Sequence, residues 1–237
     1  MTGRPVVLDL YCGAGGAAWG YHLAGFEVVG VDITDQPRYP FRFWNFDALQ
    51  VLRVLLSGST VNGYSLADFD AIHASPPCQR YSLMSACRPG LAEKYPDLIE
   101  PTRFLLKRIG LPFVIENVPG SPLHDPVRLC GTHFDRRVFW QGHGTFELQR
   151  HRDFEASFPL PSLGGCTHRF PSFPVYGHNR AGNRPDLKGP GFAALARKVM
   201  GVSWMRRDEL AESIPPCFSH WVGVHLRRHL DGWRDAA

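Results

Sequence analysis

The residues with the clearest chemical potential lie in segment 75–79, which reads Ser-Pro-Pro-Cys-Gln. The segment follows an apolar run, 69–74, that is typical of a buried strand and that the prolines end abruptly. A thiol there would stand on a stiff loop at the carboxyl edge of a sheet, where open α/β folds bind and transform ligands. A lone cysteine is more often a buried structural residue, so Cys78 needs support from other segments.

That support comes from Glu116 and Asn117, which end another apolar run, 113–115. Because the carboxyl ends of parallel strands meet at one edge of a sheet, we predict that Cys78, Glu116 and Asn117 face one cleft. A thiolate is a strong nucleophile, and a carboxyl group against a ring nitrogen can hold or supply a proton. The alternatives are a solvated strand-end acid and a turn asparagine.

A glycine-rich turn near the N-terminus predicts a second ligand site. Gly13, Gly15 and Gly16 follow strand 6–10 and let the backbone approach a ligand closely. Asp32 ends the next strand 19 residues after Gly13 (32 − 13), where an acid binds ribose hydroxyls in nucleotide-binding folds. Asp47 ends a third strand and is predicted to accept from an adenine amino group. Either acid could instead cap a helix or lie in solvent.

The order of elements predicts a doubly wound, mostly parallel α/β sheet. Predicted strands span 6–10, 27–31, 41–46, 69–74 and 113–115, and helices span 17–24, 48–56 and 98–109. Periodicity is lost over 142–191 and returns in helices at 192–199, 208–214 and 220–230. We therefore predict a core over 1–141, a small loop-rich recognition insert over 142–191, and completing helices over 192–237. The segment 81–96 is expected to be a mobile loop.

Composition limits the class of protein. The hydrophobic share of 44% and the charged share of 20% are ordinary for a folded soluble protein. The sequence lacks the run of about 18 apolar residues that a membrane span needs, and we expect no signal peptide. Its 6 cysteines form no CxxC pair, which favours a reducing compartment such as the cytoplasm.

Charge and metal ligands give weaker signals. The formal charge of +4 is compatible with a polyanionic partner. Arginines alternate with aromatic residues and glycines over 128–185, a pattern that suits phosphates and bases, although a solvated basic loop is the alternative. A zinc site was considered among several cysteines and histidines, but their spacings are not typical of zinc ligands, so we predict no metal. These residues are Cys130, His133, Cys166, His168 and His178.

Together these motifs resemble the DNA (cytosine-5) methyltransferase family, particularly its short phage-type and actinobacterial branch. Residues 8–16 resemble the first family motif, with Tyr11 as its aromatic residue, and 30–33 and 46–48 resemble the second and third. Residues 76–79 resemble the nucleophile motif, and 115–118 the motif that grips the target cytosine. Residues 200–205 and 211–216 resemble the closing segment of the phage-type branch.

The resemblance implies a Rossmann-like class I methyltransferase that moves a methyl group from S-adenosylmethionine to C5 of cytosine in double-stranded DNA. Cys78 would form a covalent adduct with a flipped-out base, with Glu116 on N3 and Asn117 bracing the cysteine loop. The residues implied to hold the cofactor are Tyr11, Gly13, Gly15, Gly16, Asp32, Ile33, Asp47 and Pro77. Those implied to contact DNA are Gln79, Arg80, Ser82 and Arg136.

The eighth family motif is the weakest match. It carries spaced arginines, often Arg-x-Arg or Arg-His-Arg before an apolar-aromatic pair, and we match it to 134–140, so that Arg137 would contact the base. The short recognition segment implies a short target sequence or help from a partner subunit. The expected location is the cytoplasm of a bacterium or phage-infected host, on the nucleoid, with a role in restriction–modification. The alternatives are an RNA (tRNA) cytosine-5 methyltransferase and a non-catalytic DNA-binding subunit of the same fold.

Overall fold

A computed structural model describes residues 3–81, 92–175 and 191–234. Its main feature is a seven-stranded sheet in the order β3-β2-β1-β4-β5-β9-β6. The strands are β1 Val6–Leu10, β2 Glu27–Asp32, β3 Arg42–Asn45, β4 Ala71–Ala74, β5 Phe113–Asn117, β6 Val127–Cys130 and β9 His151–Ala156. A separate pair is formed by β7 Arg137–Trp140 and β8 Gly144–Glu147. The helices are α1 Gly16–Leu23, α2 Ala48–Leu56, α3 Ile99–Ile109, α4 Phe192–Met200, α5 Arg207–Glu212 and α6 Pro216–Arg234.

The first five strands of the sheet are parallel, which confirms the doubly wound fold predicted from the sequence. The strand order reverses beside β1, whose neighbours are β2 on one side and β4 on the other. Ligands of open α/β sheets bind outside the carboxyl ends of the strands at such a switch point. The glycine turn follows β1 and the cysteine loop follows β4, so the topology brings the two predicted sites together.

Alternate residues of the buried strands pack on opposite faces of the sheet. On one face, Val7 and Val114 join apolar residues of α1 and α6 in one core cluster. On the other face, Leu8 and Ile115 join residues of α2 and α3 in a second cluster. A period of two along each strand therefore supplies both layers of the sandwich.

Helices α1 and α6 approach each other closely because glycines lie where they meet. A Cβ atom at Gly20 would lie 2.3 Å from the carbonyl oxygen of Pro216. A Cβ atom at Gly223 would lie 2.7 Å from the Cβ of Ala24. Both distances are too short for non-bonded atoms, so side chains larger than hydrogen would push the helices apart.

Strand β9 is the main departure from the fold expected from the sequence. It lies inside the predicted loop-rich insert 142–191, yet it pairs antiparallel with both β5 and β6 in the main sheet. Apolar periodicity does not mark this strand, because its buried residues include charged ones. Arg103 of α3 pairs with Glu155 at 2.7 Å, and Arg128 of β6 pairs with Asp153 at 2.7 Å. Both acids are paired with cations on neighbouring elements. β9 can therefore lie between two strands of the sheet although its sequence has no apolar pattern.

The remaining part of the insert and the helices after it form a third apolar cluster. It unites the β7–β8 pair with α4 and includes Trp140, Phe146, Phe173 and Met200. The predicted bounds of most other elements agree with the structure to within a few residues. None of the helices in the described ranges combines the length and the apolar character that crossing a membrane requires.

We expect Gly20→Ala to lower the free energy of unfolding by about 1–3 kcal/mol, because the added methyl group would overlap the backbone of α6. Chemical denaturation followed by circular dichroism measures the change. Gly232→Ala is the matched control, since a Cβ there meets no atom within 4 Å. It should leave stability unchanged or raise it by up to about 1 kcal/mol through helix propensity. Equal destabilisation by both changes would contradict close packing of α1 on α6.

Candidate active site

The cysteine loop continues directly from β4 at the switch point of the sheet. The Ser75 amide donates to the Leu10 carbonyl oxygen at 3.1 Å, which extends the β4–β1 pairing by one residue. The carbonyl of Cys78 then accepts from the Tyr81 amide at 3.0 Å, which turns the chain into the short helix Gln79–Tyr81. The half-buried Cys78 side chain therefore stands on a constrained turn between two prolines and a helical turn.

Asn117 fastens this loop to the end of β5. Its Nδ2 donates to the Pro76 carbonyl oxygen at 2.8 Å, and its Oδ1 accepts from the Val118 amide at 2.9 Å. Asn117 is 1% exposed, so both of these hydrogen bonds are made inside the protein. The sequence prediction that Asn117 braces the cysteine loop describes this contact.

Glu116 is a buried acid with a nearby cation. Its exposure is 4%, and the Nε atom of Arg152 lies 2.9 Å from its Oε1. Among the described residues Oε1 has no regular hydrogen-bond partner, so it keeps the ability to bond elsewhere. Burial raises the pKa of Glu116, while the charge of Arg152 and a hydrogen bond from Ser75 oppose the rise. The net pKa lies above the ordinary value, which favours a carboxyl group that can hold a proton.

A chain of hydrogen bonds runs from Glu116 into the core. The Ser75 hydroxyl that bonds Glu116 lies 2.7 Å from Nε2 of His73, and Nδ1 of His73 lies 3.0 Å from the Tyr21 hydroxyl. Burial lowers the pKa of His73 to about 3, so its imidazole is neutral. With its proton on Nε2, His73 donates to Ser75 and accepts from Tyr21, which lets Ser75 donate to Glu116. This chain fixes the orientation of the Glu116 carboxyl group.

The charges of Glu116 and Arg152 also affect the pKa of the Cys78 thiol. Burial raises the pKa of Cys78, the positive charge of Arg152 lowers it, and the negative charge of Glu116 raises it. The charges of Glu116 and Arg152 therefore act on the Cys78 thiol, and the placement of Cys78 and Glu116 in one cleft stays a prediction. Within that site, Arg152 favours the thiolate, the reactive form of cysteine.

The glycine turn forms the wall of the cleft on the β1 side. Tyr11, Gly13 and Gly15 have φ values of 56°, 48° and 85°, so the backbone turns sharply after β1. A Cβ at Gly13 would meet no atom within 4 Å, which leaves the backbone open to a ligand. The Oδ2 of Asp32 accepts from the Gly13 amide at 3.0 Å and holds the turn against β2. The Tyr11 hydroxyl is bonded to Thr102 at 2.8 Å, which fixes this ring from the α3 side.

Two large apolar side chains are exposed beyond the ends of β2 and β3. Ile33 is 72% exposed and Phe46 is 44% exposed. Asp47 follows Phe46, and its Oδ1 accepts from the Gln50 amide at 2.8 Å as the cap of α2. The capping alternative considered for Asp47 is thus observed for one oxygen, and contact with an adenine stays a prediction.

The residues predicted to contact DNA have mixed surroundings. Gln79 is exposed beside Cys78, and Arg80 donates to the Tyr95 carbonyl oxygen at 2.9 Å. Ser82 and most of the predicted mobile loop lie outside the described residues. Arg136 donates to the Val199 carbonyl oxygen at 2.8 Å and also to Lys198. The guanidinium thus closes the carboxyl end of α4, and contact of Arg136 with DNA stays a prediction.

The described contacts of Arg137, the predicted base-contacting arginine, lie away from Glu116. Arg137 pairs with exposed Asp135 and lies over the Phe170 ring, and no described contact joins it to Glu116. Arg152 occupies the place beside Glu116 instead. The sequence held a signal for this, since Arg-His-Arg occurs at 150–152, with the charged Asp153 before Phe154 in place of an apolar–aromatic pair. Arg150 bonds backbone carbonyls of α5 and of the segment that follows it, including Ala211 at 2.8 Å, and so holds the start of β9 in place.

A cavity of about 600 Å³ lies at the opposite end of β5 and does not contain Cys78. Its lining includes Phe113, where β5 begins, and His229 of α6. Because the polar groups described above converge at the carboxyl end of β5, we place the chemistry there and not in this cavity.

Comparison with protein families agrees with the site. The model of the family described as C-5 cytosine-specific DNA methylase matches residues 6–128, which is about half of the chain and includes Cys78 and Glu116. A type II methyltransferase of Xanthomonas oryzae, M.XorII, is 28% identical over 124 residues. That alignment covers 49% of this chain and 29% of the relative, so the chain spans less than a third of that protein.

Solved structures show the same fold at low identity. A protein encoded in an E. coli prophage, described as a DNA modification methyltransferase, has a TM-score of 0.57 at 13% identity, covering 96% of this chain and 99% of that one. Dnmt2 of S. pombe has a TM-score of 0.53 at 13% identity, covering 95% and 99%. A DNMT2 mutant of Spodoptera frugiperda has a TM-score of 0.52 at 15% identity, covering 96% and 99%.

The charges around Cys78 predict opposite effects of two substitutions on its alkylation by iodoacetamide. Arg152→Gln removes the charge that lowers the thiol pKa, so alkylation near neutral pH should slow several-fold and its pH profile should move to higher pH. Glu116→Gln removes the charge that raises this pKa and should move the profile to lower pH. Peptide mass spectrometry reports alkylation at Cys78 alone.

Arg128→Gln is the control for the loss of a positive charge nearby. Arg128 lies on β6 and pairs with Asp153, so its removal should leave the profile in place. Shifts of the same sign from Arg152→Gln and Glu116→Gln would contradict a shared electrostatic site.

Proposed function

The chain belongs to the C-5 cytosine-specific DNA methylase family, and we propose that it methylates C5 of cytosine in double-stranded DNA through a covalent adduct of Cys78. One observation carries the proposal. Asn117 at the end of β5 donates to the Pro76 carbonyl oxygen of the cysteine loop at 2.8 Å, and the neighbouring Glu116 is buried with Arg152 at 2.9 Å, at the switch point of the sheet. A nucleophile beside a proton-holding acid is the pair that addition to a pyrimidine ring requires.

The turn after β1 supports S-adenosylmethionine as the cofactor. Gly13 exposes its backbone, and Asp32 lies at the end of the neighbouring strand, the position suited to ribose hydroxyls. Exposed Ile33 and Phe46 supply apolar surfaces of the kind that cover an adenine ring. We propose that these residues, with Tyr11, Gly15, Gly16, Asp47 and Pro77, hold the cofactor. When bound, S-adenosylmethionine supplies the methyl group as a sulfonium.

Cys78 is the proposed nucleophile. Cytosine inside a duplex hides its C5 and C6 atoms, so the base must swing out of the helix to reach a thiol in a cleft. The Cys78 thiolate would add to C6, which makes C5 nucleophilic towards a methyl group. Loss of the C5 proton and departure of the thiolate then restore the aromatic ring. Arg152 favours the first step because its charge lowers the pKa of Cys78.

Glu116 is the proposed acid for the ring nitrogen. Its raised pKa favours the protonated form, which can donate to N3 and stabilise the charge that develops there when sulfur adds to C6. The bond from Ser75 and the neutral His73 behind it keep the carboxyl group oriented without adding charge. We assign to Arg152, in place of Arg137, the contact with the base and its carbonyl oxygen, because Arg152 lies beside Glu116.

DNA is the proposed substrate in preference to RNA. The family description names DNA, whereas the net charge of +4 suits either nucleic acid and does not discriminate between them. Gln79 and Arg80, next to Cys78, are proposed to contact the flipped nucleotide and its backbone, together with Ser82. The motifs around Cys78 and Glu116 also occur in the RNA-acting branch of the family, so the substrate needs a direct test.

Covalent trapping tests the nucleophile. Duplex DNA with 5-fluorocytosine at the target keeps its fluorine where the C5 proton would leave, so the adduct with the enzyme should persist. With S-adenosylmethionine present, we expect a denaturation-resistant complex for the natural chain and for Cys217→Ser, which changes a cysteine of α6. Cys78→Ala should bind the DNA without forming the complex. Trapping of Cys78→Ala would show that another residue is the nucleophile, and DNA binding with no trapping by the natural chain would favour a non-catalytic subunit.

A substrate comparison tests the choice between DNA and RNA. The chain is incubated with S-adenosylmethionine labelled on the methyl group and with genomic DNA or tRNA in separate reactions. We expect label in DNA only, at 5-methylcytosine after hydrolysis, and none with Cys78→Ala. Label confined to tRNA would overturn the proposed substrate while leaving the chemistry of Cys78 intact.

A further inference from the structure

Four side chains outside the candidate active site converge on one point. They are Cys130, His151, Cys166 and His168, and their ligand atoms all lie within 4.8 Å of one another. The Nε2 of His168 lies 3.4 Å from the sulfur of Cys130 and 3.3 Å from that of Cys166. The Nε2 of His151 lies 3.2 Å from the sulfur of Cys166.

The fold of the sheet brings the first two of these residues together. Cys130 ends β6, His151 begins β9, and the two are direct partners in the antiparallel pairing. Directly opposed residues place their side chains on the same face of a sheet. Cys166 and His168 come from the segment after β9, which lacks a helix or strand around them. The ligands therefore come from two paired strands and one irregular segment.

The distances match a tetrahedral metal site. Zinc binds sulfur at about 2.3 Å and imidazole nitrogen at about 2.0–2.1 Å, so ligand atoms at the corners of its tetrahedron lie about 3.3–3.8 Å apart. The three sulfur–nitrogen distances of 3.2–3.4 Å lie at or just below the short end of that range, so small adjustments would admit the ion. Two thiolates with two imidazoles are also a donor set that selects zinc over calcium or magnesium, which prefer oxygen. We propose that Cys130, His151, Cys166 and His168 bind one Zn²⁺ ion.

The surroundings of Cys130 suit a thiolate ligand. Thr132 donates its hydroxyl to the Cys130 sulfur at 3.2 Å, a bond that supports negative charge on sulfur. His133 is excluded from the ligand set, since its Nδ1 accepts from the backbone amide of Cys130 at 3.3 Å. His178, the other histidine considered from the sequence, lies outside the described residues.

We propose this site in place of the sequence prediction that no metal binds. That prediction rested on spacing along the chain, and neither Cys166-x-His168 nor the pair Cys130 and His133 is a common zinc motif. The ligand absent from those motifs is His151. It lies 21 residues after Cys130 in the sequence (151 − 130), and the strand pairing places it opposite Cys130. Spacing rules describe ligands on local turns and hairpins, whereas this set depends on long-range pairing.

The proposed ion has a structural role. Four protein ligands complete a tetrahedral zinc shell and leave no position for substrate. The ion would fasten the segment around 166–168 to β6 and β9, near the residue that pairs with Glu116. His151 and Arg152 are adjacent in β9 and point to opposite faces, so the metal lies across the sheet from Glu116. The proposal is independent of the reaction catalysed.

Metal analysis of the full chain tests the proposal. We expect one zinc per chain by inductively coupled plasma mass spectrometry after purification without chelator. Cys166→Ser and His168→Ala should each lower the zinc content at least several-fold, because each removes one ligand. Cys217→Ser is the matched control, since it changes a cysteine of α6 outside the cluster, and it should keep one zinc.

Two measurements on the natural chain test the zinc site even if the variants fold poorly. Chelator-treated protein should take up one equivalent of Zn²⁺, and Co²⁺ in its place should give the visible absorption of a tetrahedral site with thiolate ligands. Zinc far below one per chain with no such uptake would overturn the proposal. A disulfide between Cys130 and Cys166, detected by mass spectrometry of the unreduced protein as purified, would also overturn it. An octahedral cobalt spectrum without thiolate bands would do the same.

Discussion

The compensation of the buried Glu116 carboxyl group by Arg152 is the interaction on which the candidate site depends. A buried carboxylate without a cation is costly, and a buried carboxyl group with a strongly held cation stays ionised. The contact at 2.9 Å lies between these limits, because burial raises the pKa of Glu116 while Arg152 opposes the rise. The same arginine lowers the pKa of Cys78. One positive charge therefore acts on both the proposed acid and the proposed nucleophile.

Strand β9 makes this arrangement possible. It is antiparallel to β5, and the residue opposite Glu116 is Phe154, so Arg152 reaches the acid diagonally across the pair. The other face of β9 carries His151, Asp153 and Glu155. Each of these meets a partner from a neighbouring element, namely the cysteine–histidine cluster, Arg128 and Arg103. A strand with this many charged residues is stable between two other strands only because each charged side chain has a partner.

The two sites on the two faces of β9 depend on the same strand pairing. On one face, the charge of Arg152 acts on the proposed catalytic groups, and on the other, four ligands surround the proposed ion. Both depend on the register of β9 with β5 and β6, since a slip by one residue would exchange the faces and separate both sets. The position of β9 is further held by Arg150, whose guanidinium binds backbone carbonyls at the end of α5.

The sequence by itself determined the parallel half of the fold and the positions of Cys78, Glu116, Asn117 and the glycine turn. Local signals sufficed there, because short apolar runs ended by prolines, glycines or acids mark the strand ends that form the cleft. Only the tertiary structure decided the partner of Glu116, the engagement of Arg136 with α4, and the gathering of the cysteine–histidine cluster. These features depend on β9, which lacks apolar periodicity because its charges are satisfied by residues distant in the chain. Long-range pairing of charges leaves no local pattern, so its outcome is visible only after folding.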